Sequence, residues 1–222
     1  MNDMGNLISE HYNNLRRTDP TQWKEKMRPS AIHEAGHAAV QIFLGQTPED
    51  IVKISLVGNE GGPGRVQRDC QCNPFSLPEP WKSHCVLRQI CITLAGRVAE
   101  DELIEGTNSL DGSEVLDPDS EDWDISGADL HSAAYFAKMI SRKYKTKGQI
   151  LKRAERWTRE LIREPLVKSL ILSCADILLE KQEIRKEEAL QIFDPINGLA
   201  RENRRFRRAL WASEAERKCY YW

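Results

Sequence analysis

Two histidines four residues apart in an otherwise apolar stretch, A-I-H-E-A-G-H-A-A-V at residues 31–40, constrain this 222-residue chain more than any other feature. Small and aliphatic neighbours call for burial, and a polar group buried without a partner costs roughly 2–7 kcal/mol. His33, Glu34 and His37 therefore need partners or a ligand. On an α-helix, positions i and i+4 share one face about 6 Å apart. Two imidazoles at that spacing can converge on a single zinc ion. Glu34, about 100° further round the helix, can reach a water at the ion without displacing a ligand. Zinc lowers the pKa of such a water to about 7, and a carboxylate can take its proton as it attacks a polarised carbonyl. A chance H-E-x-x-H in a chain of this composition arises only about 1% of the time.

The spacing predicts a helix over 28–45. Pro29 sits near its start, Ser30 can help cap it, and Gly45 is a natural stop. Residues 50–58 alternate with β-branched enrichment and read as a strand. A glycine-rich turn follows at 58–64, then a second short strand, then a proline-rich loop. A broad apolar stripe predicts a long helix over 81–105. An acidic, turn-rich segment follows, and helical periodicity returns at 126–144. Two or three further helices are expected over 149–193, one of them opening at Pro165. The expected fold is α+β and mainly helical: a zincin-like H-E-x-x-H helix, a small sheet or hairpin, and a C-terminal helical bundle. The domain reading is a polar leader (1–27), one zinc-binding domain (28–196) and a basic, aromatic tail (197–222).

Charge is abundant, at 30% of residues, but balanced to a net −2. No overall field draws the chain to nucleic acid or anionic lipid. The tail carries a local excess of basic residues, which reads first as a solvated helix face. Six cysteines make no dense disulfide framework, the opening residues show no secretory pattern, and no run of 18 apolar residues suggests a membrane span. The expected location is the cytoplasm. Cys70, Cys72, His84 and Cys85 lack a common zinc-site spacing and read as ordinary side chains.

A catalytic zinc takes three protein ligands and keeps one position open. The extended motif with a third histidine is absent, because Val40 and Phe43 occupy the places of its glycine and last histidine. His84, Glu100, Glu102, Asp129 and His131 are the downstream candidates. Glu100 and Asp129 both lie on expected helices that could pack on the first, and spacing does not choose between them.

Four segments in order resemble the peptidase domain of the FtsH-type AAA+ zinc proteases. They are A-I-H-E-A-G-H-A-A-V, L-A-G-R-V-A-E-D-E-L-I-E-G at 94–106, S-G-A-D-L-H-S-A-A-Y-F-A-K-M-I at 126–140, and L-L-E-K-Q-E-I-R-K-E-E-A-L-Q-I-F at 178–193. The resemblance implies a zinc metalloendopeptidase with His33, His37 and Asp129 as ligands and Glu34 as general base. It places Glu100 in a supporting role beside the zinc. It also implies that the strand holding Ile54, Ser55 and Leu56 aligns substrate by adding an extended peptide to a sheet edge. The departures are equally concrete. There is no phosphate-binding G-x-x-x-x-G-K-[ST], the connection between Gly106 and Asp129 is long and acidic, and Ala95 and Ala128 replace residues usual in the family.

The expectation is an ATP-independent zinc endopeptidase acting on peptides or unfolded protein. A homo-oligomer or a partner chain is compatible with it. The alternative is a catalytically silent zinc-binding or regulatory module on the same scaffold. A hydrolase for a non-peptide amide is a third reading.

Overall fold

A computed structural model of the chain describes residues 14–44, 51–57, 63–68, 81–104, 128–141 and 146–202. In chain order the elements are α1 (Pro20–Phe43), β1 (Ile51–Val57), β2 (Pro63–Arg68), α2 (Trp81–Leu103), α3 (Ala128–Ile140), α4 (Lys147–Arg163), α5 (Pro165–Lys181), β3 (Glu183–Arg185) and α6 (Lys186–Glu202). The fold is α+β and mainly helical, with one small antiparallel sheet. Among the described residues no helix is long and apolar enough to cross a membrane.

Helix α1 is the centre of the molecule. It packs against α2, α5, α6 and the sheet. Ala31, Ile32, Ala35, Ala38, Ala39, Val40 and Ile42 are all buried, on every side of the axis. A helical stretch as nearly apolar all round as 31–43 has to be enclosed in this way.

Its start lies earlier than the sequence suggests. Asp19 is the N-cap, its carboxylate accepting from the Gln22 N–H at 3.0 Å, and Pro20 takes the first-turn place expected of Pro29. Pro29 lies inside the helix. A boundary at 27–28 would therefore cut α1 in two. Trp23 and Met27 are buried in the same core as the residues that follow. Outside the core, the Arg16 guanidinium covers the Trp23 ring and donates to the Glu180 carbonyl. Trp23→Ala is expected to cost about 3–5 kcal/mol, read from urea unfolding. A change below 1 kcal/mol would restore the picture of a loose leader. At the other end, α6 continues past 196 to Glu202, so that boundary also falls within a helix.

The sheet order is β2-β1-β3, with both pairings antiparallel. Ile54 stands opposite Val66 on one side and Ile184 on the other. Strand β3, only three residues long, is an element the periodicity did not announce. Gln182 creates it: its φ of 67° turns the chain out of α5, and its carbonyl accepts from the Leu56 N–H at 3.0 Å. Ile184 then enters the core, while Lys53 pairs with Glu183. Central β1 has no free edge over Lys53–Ser55. The expected addition of a peptide along Ile54, Ser55 and Leu56 is corrected on this ground: both ladders there are taken and all three residues are buried.

Helix α4 opens with a reciprocal capping box between Thr146 and Gln149, and Pro165 opens α5 as anticipated. The last turn of α2 is tied to α4 through Glu102. Its carboxylate accepts from Arg163 at 2.6 and 3.0 Å and also from Arg159.

Candidate metal centre

Helices α1 and α2 approach unusually closely, and glycine permits it. A Cβ on Gly36 would stand 2.6 Å from the Ala99 Cβ and 2.9 Å from the Ala95 carbonyl oxygen. A Cβ on Gly96 would stand 2.5 Å from His33 Nε2 and 2.6 Å from two ring carbons. The His33 imidazole therefore lies flat against the backbone of α2. Neither glycine was singled out from the sequence, although a glycine inside a helical pattern is itself a sign of close approach.

Each ring is oriented by its Nδ1. His37 Nδ1–H donates to the Ile92 carbonyl at 2.7 Å, and His33 Nδ1–H donates to the Glu100 carboxylate. Glu100 thus stands beside His33, on the far side of the ring from Asp129. The Ile92 carbonyl carries no side-chain signature and could not be read from the sequence. With both Nδ1 protons so used, a neutral ring presents the bare lone pair of Nε2.

Asp129, in the first turn of α3, completes the group. Its Oδ2 is 2.9 Å from His33 Nε2 and 3.0 Å from His37 Nε2, and the two Nε2 atoms are 3.0 Å apart. Three lone-pair atoms at these distances repel unless positive charge lies between them. One zinc ion with bonds of about 2.0–2.1 Å can touch all three corners of such a triangle. Two imidazoles and one carboxylate are also a donor set that zinc accepts. The residues therefore fit a metal ion, and among the described residues theirs is the group of donors so disposed.

The spatial result chooses Asp129 over Glu100 as the third donor. Glu100 engages the far nitrogen of His33. Glu102 is held by two arginines, and His131 is exposed on α3. The side chain of His84 and the residues Cys70 and Cys72 lie outside what is described, as do the acidic segment 106–124 and residues 203–222. Cys91 and Cys174 are free, buried thiols, and burial pushes Cys91 up to about 12.

Electrostatics follow from this packing. Burial works to lower the His33 pKa, but hydrogen bonds to Asp129 and Glu100 outweigh it and raise it to about 10. Burial raises Asp129, yet its bonds to His33 and His37 hold it well below the usual carboxylate range. Glu34, only 5% exposed, is raised by burial, with partial opposition from the charges of His37 and His33. In the metal-free protein a proton on His33 supplies the positive charge that the cluster needs.

That state has a testable pH dependence. The folded pKa of His33 lies above its unfolded value of about 6.5. Its stabilisation is complete below that value and is lost as pH rises towards about 10. The melting temperature of chelator-treated protein should therefore fall across this window. Metal-loaded protein should not follow it, because the ion replaces the proton. A metal-free melting temperature that stays flat or climbs from pH 6.5 to 10 would contradict the arrangement.

Among known proteins, no family model matches the chain and no curated protein does either.

Proposed function

We propose that this chain is an ATP-independent zinc endopeptidase, similar in its centre to the FtsH-type peptidases, that hydrolyses exposed or unfolded polypeptide. The observation that carries the reading is the triangle of His33, His37 and Asp129 with a buried glutamate next to the first histidine in sequence. Zinc held by these three atoms would supply a Lewis acid that polarises a carbonyl and acidifies a water.

The chain's own residues do the rest. Glu34 accepts the proton of the attacking water and returns it to the leaving amine nitrogen. A carboxylate raised by burial is better matched to both transfers near neutral pH than an ordinary one. Glu100 and the Ile92 carbonyl hold the two rings so that both Nε2 atoms face Asp129. The Asp129 side chain is 42% exposed against 13% for His37, so substrate approaches from the α3 side. A peptide held as an added strand would use an outer edge, on β2 or β3, since β1 is enclosed.

A silent metal module has no need for a base held beside the metal ligands, and the burial of Glu34 favours the enzyme. Chelation followed by zinc reconstitution, metal analysis and a fluorescent unstructured-protein assay tests the reading. One zinc per chain with zinc-dependent cleavage is expected. Stoichiometric zinc without cleavage of any unfolded substrate would leave the silent module standing in its place.

A further inference from the structure

Gln41 stands one helical turn beyond His37 on the same side of α1. It is fully buried, and among the described residues neither its Nε2 nor its Oε1 has a hydrogen-bond partner. Native cores keep few polar groups in this condition, because an apolar side chain of the same size would avoid the loss. Trp23 also buries an unpartnered N–H, but its large apolar ring accounts for its place in the core. Gln41 has no such compensation. Its immediate neighbours on α1 are Val40 and Ile42, and the helix around it is otherwise apolar.

Its position relates it to the metal centre. One helical turn is about 5.4 Å along the axis. An extended peptide advances about 3.3 Å per residue. A peptide running along α1 with one carbonyl at the metal ligands therefore places another peptide group, one or two residues away, beside Gln41. A carboxamide offers an acceptor and two donors, which complement the N–H and C=O of a peptide group.

We propose that Gln41 is a substrate-binding residue whose carboxamide pairs with the peptide backbone one or two residues from the bond at the metal centre. The inference rests on the peptidase reading above. The amide is sealed, so a partner reaches it only when a neighbouring element yields. Strand β2 packs on α1 and, among the described residues, is paired along one edge only.

The test compares two probes on zinc-loaded protein. Acetohydroxamate engages the metal alone, whereas a hydroxamate built on a two-residue peptide also presents a backbone. Gln41→Met should weaken the peptide hydroxamate about tenfold, the scale of one lost hydrogen-bonding partner. Acetohydroxamate affinity and zinc content should not change. The melting temperature without ligand should rise by a few degrees, as expected when an unsatisfied buried group is removed. Gln41→Leu repeats the comparison with a different shape. An unchanged ratio of the two affinities overturns the inference, and so does a lower melting temperature with both affinities reduced together. Wild-type protein that binds neither hydroxamate overturns the peptidase reading, and this assignment falls with it.

Discussion

Replacing Glu34 with glutamine is expected to leave zinc bound and, on the peptidase proposal, to lower peptide hydrolysis by about 10²–10⁴-fold. The substitution keeps shape and hydrogen-bonding capacity but removes the ability to take a proton. Glu34 lies outside the triangle formed by His33, His37 and Asp129, so the ligand set is untouched. Removing a charge that burial disfavours should also leave the fold at least as stable. The checks are metal analysis, the melting temperature and kcat/KM on a fluorogenic peptide. Cleavage at the wild-type rate by zinc-loaded Glu34→Gln would sink the assignment of the base. Loss of zinc would instead make Glu34 part of the metal site.

Gly96→Ala is expected to lower metal affinity by at least about tenfold to a hundredfold, the range seen when a ligand's supporting contacts are lost. The added methyl would meet three atoms of the His33 ring at 2.5–2.6 Å, well inside the optimal contact of about 3.5–4.0 Å. The ring has little freedom to retreat, since Nδ1 is held by Glu100 and Nε2 faces Asp129. Gly36→Ala is the useful contrast. Its methyl meets the Ala99 Cβ and the Ala95 carbonyl, so it pushes two helices apart. That variant should lose about 1–3 kcal/mol of stability, with affinity falling in step. Gly96→Ala should lose affinity out of proportion to stability. Zinc titration against a competing chelator, alongside urea unfolding of the metal-free forms, separates the two. Wild-type affinity in Gly96→Ala would show that the ring is not pinned.

The helix bearing His33 and His37 was legible because two independent signals coincide there: the i, i+4 spacing and the small apolar residues around it. Its beginning was misplaced because two prolines compete for the first-turn position, and only the carboxylate of Asp19 on the Gln22 N–H decides for Pro20. Asp129 could not be derived from spacing, since 92 residues separate it from His37. It emerged through the resemblance, and the packing of α3 brings it to the histidines. Ile92 was invisible for a different reason: it acts through its backbone, and any residue there would supply the same carbonyl. The role given to Ile54, Ser55 and Leu56 failed because strand alternation reveals a strand but not its neighbours. The neighbour that closes β1 is a three-residue segment too short and too polar to show a period.

The pairing of Lys53 with Glu183 joins positions 130 residues apart. Contacts this distant form late, because the chain loses the freedom of a long loop before the sheet repays it. During synthesis from the N-terminus, α1 emerges long before α5 and α6, which help to cover it. This largely buried helix, with its two histidines, must wait for most of the polypeptide to be made. The nascent chain is thus most prone to aggregate in that interval, and the same element that organises the finished centre is its chief hazard on the way there.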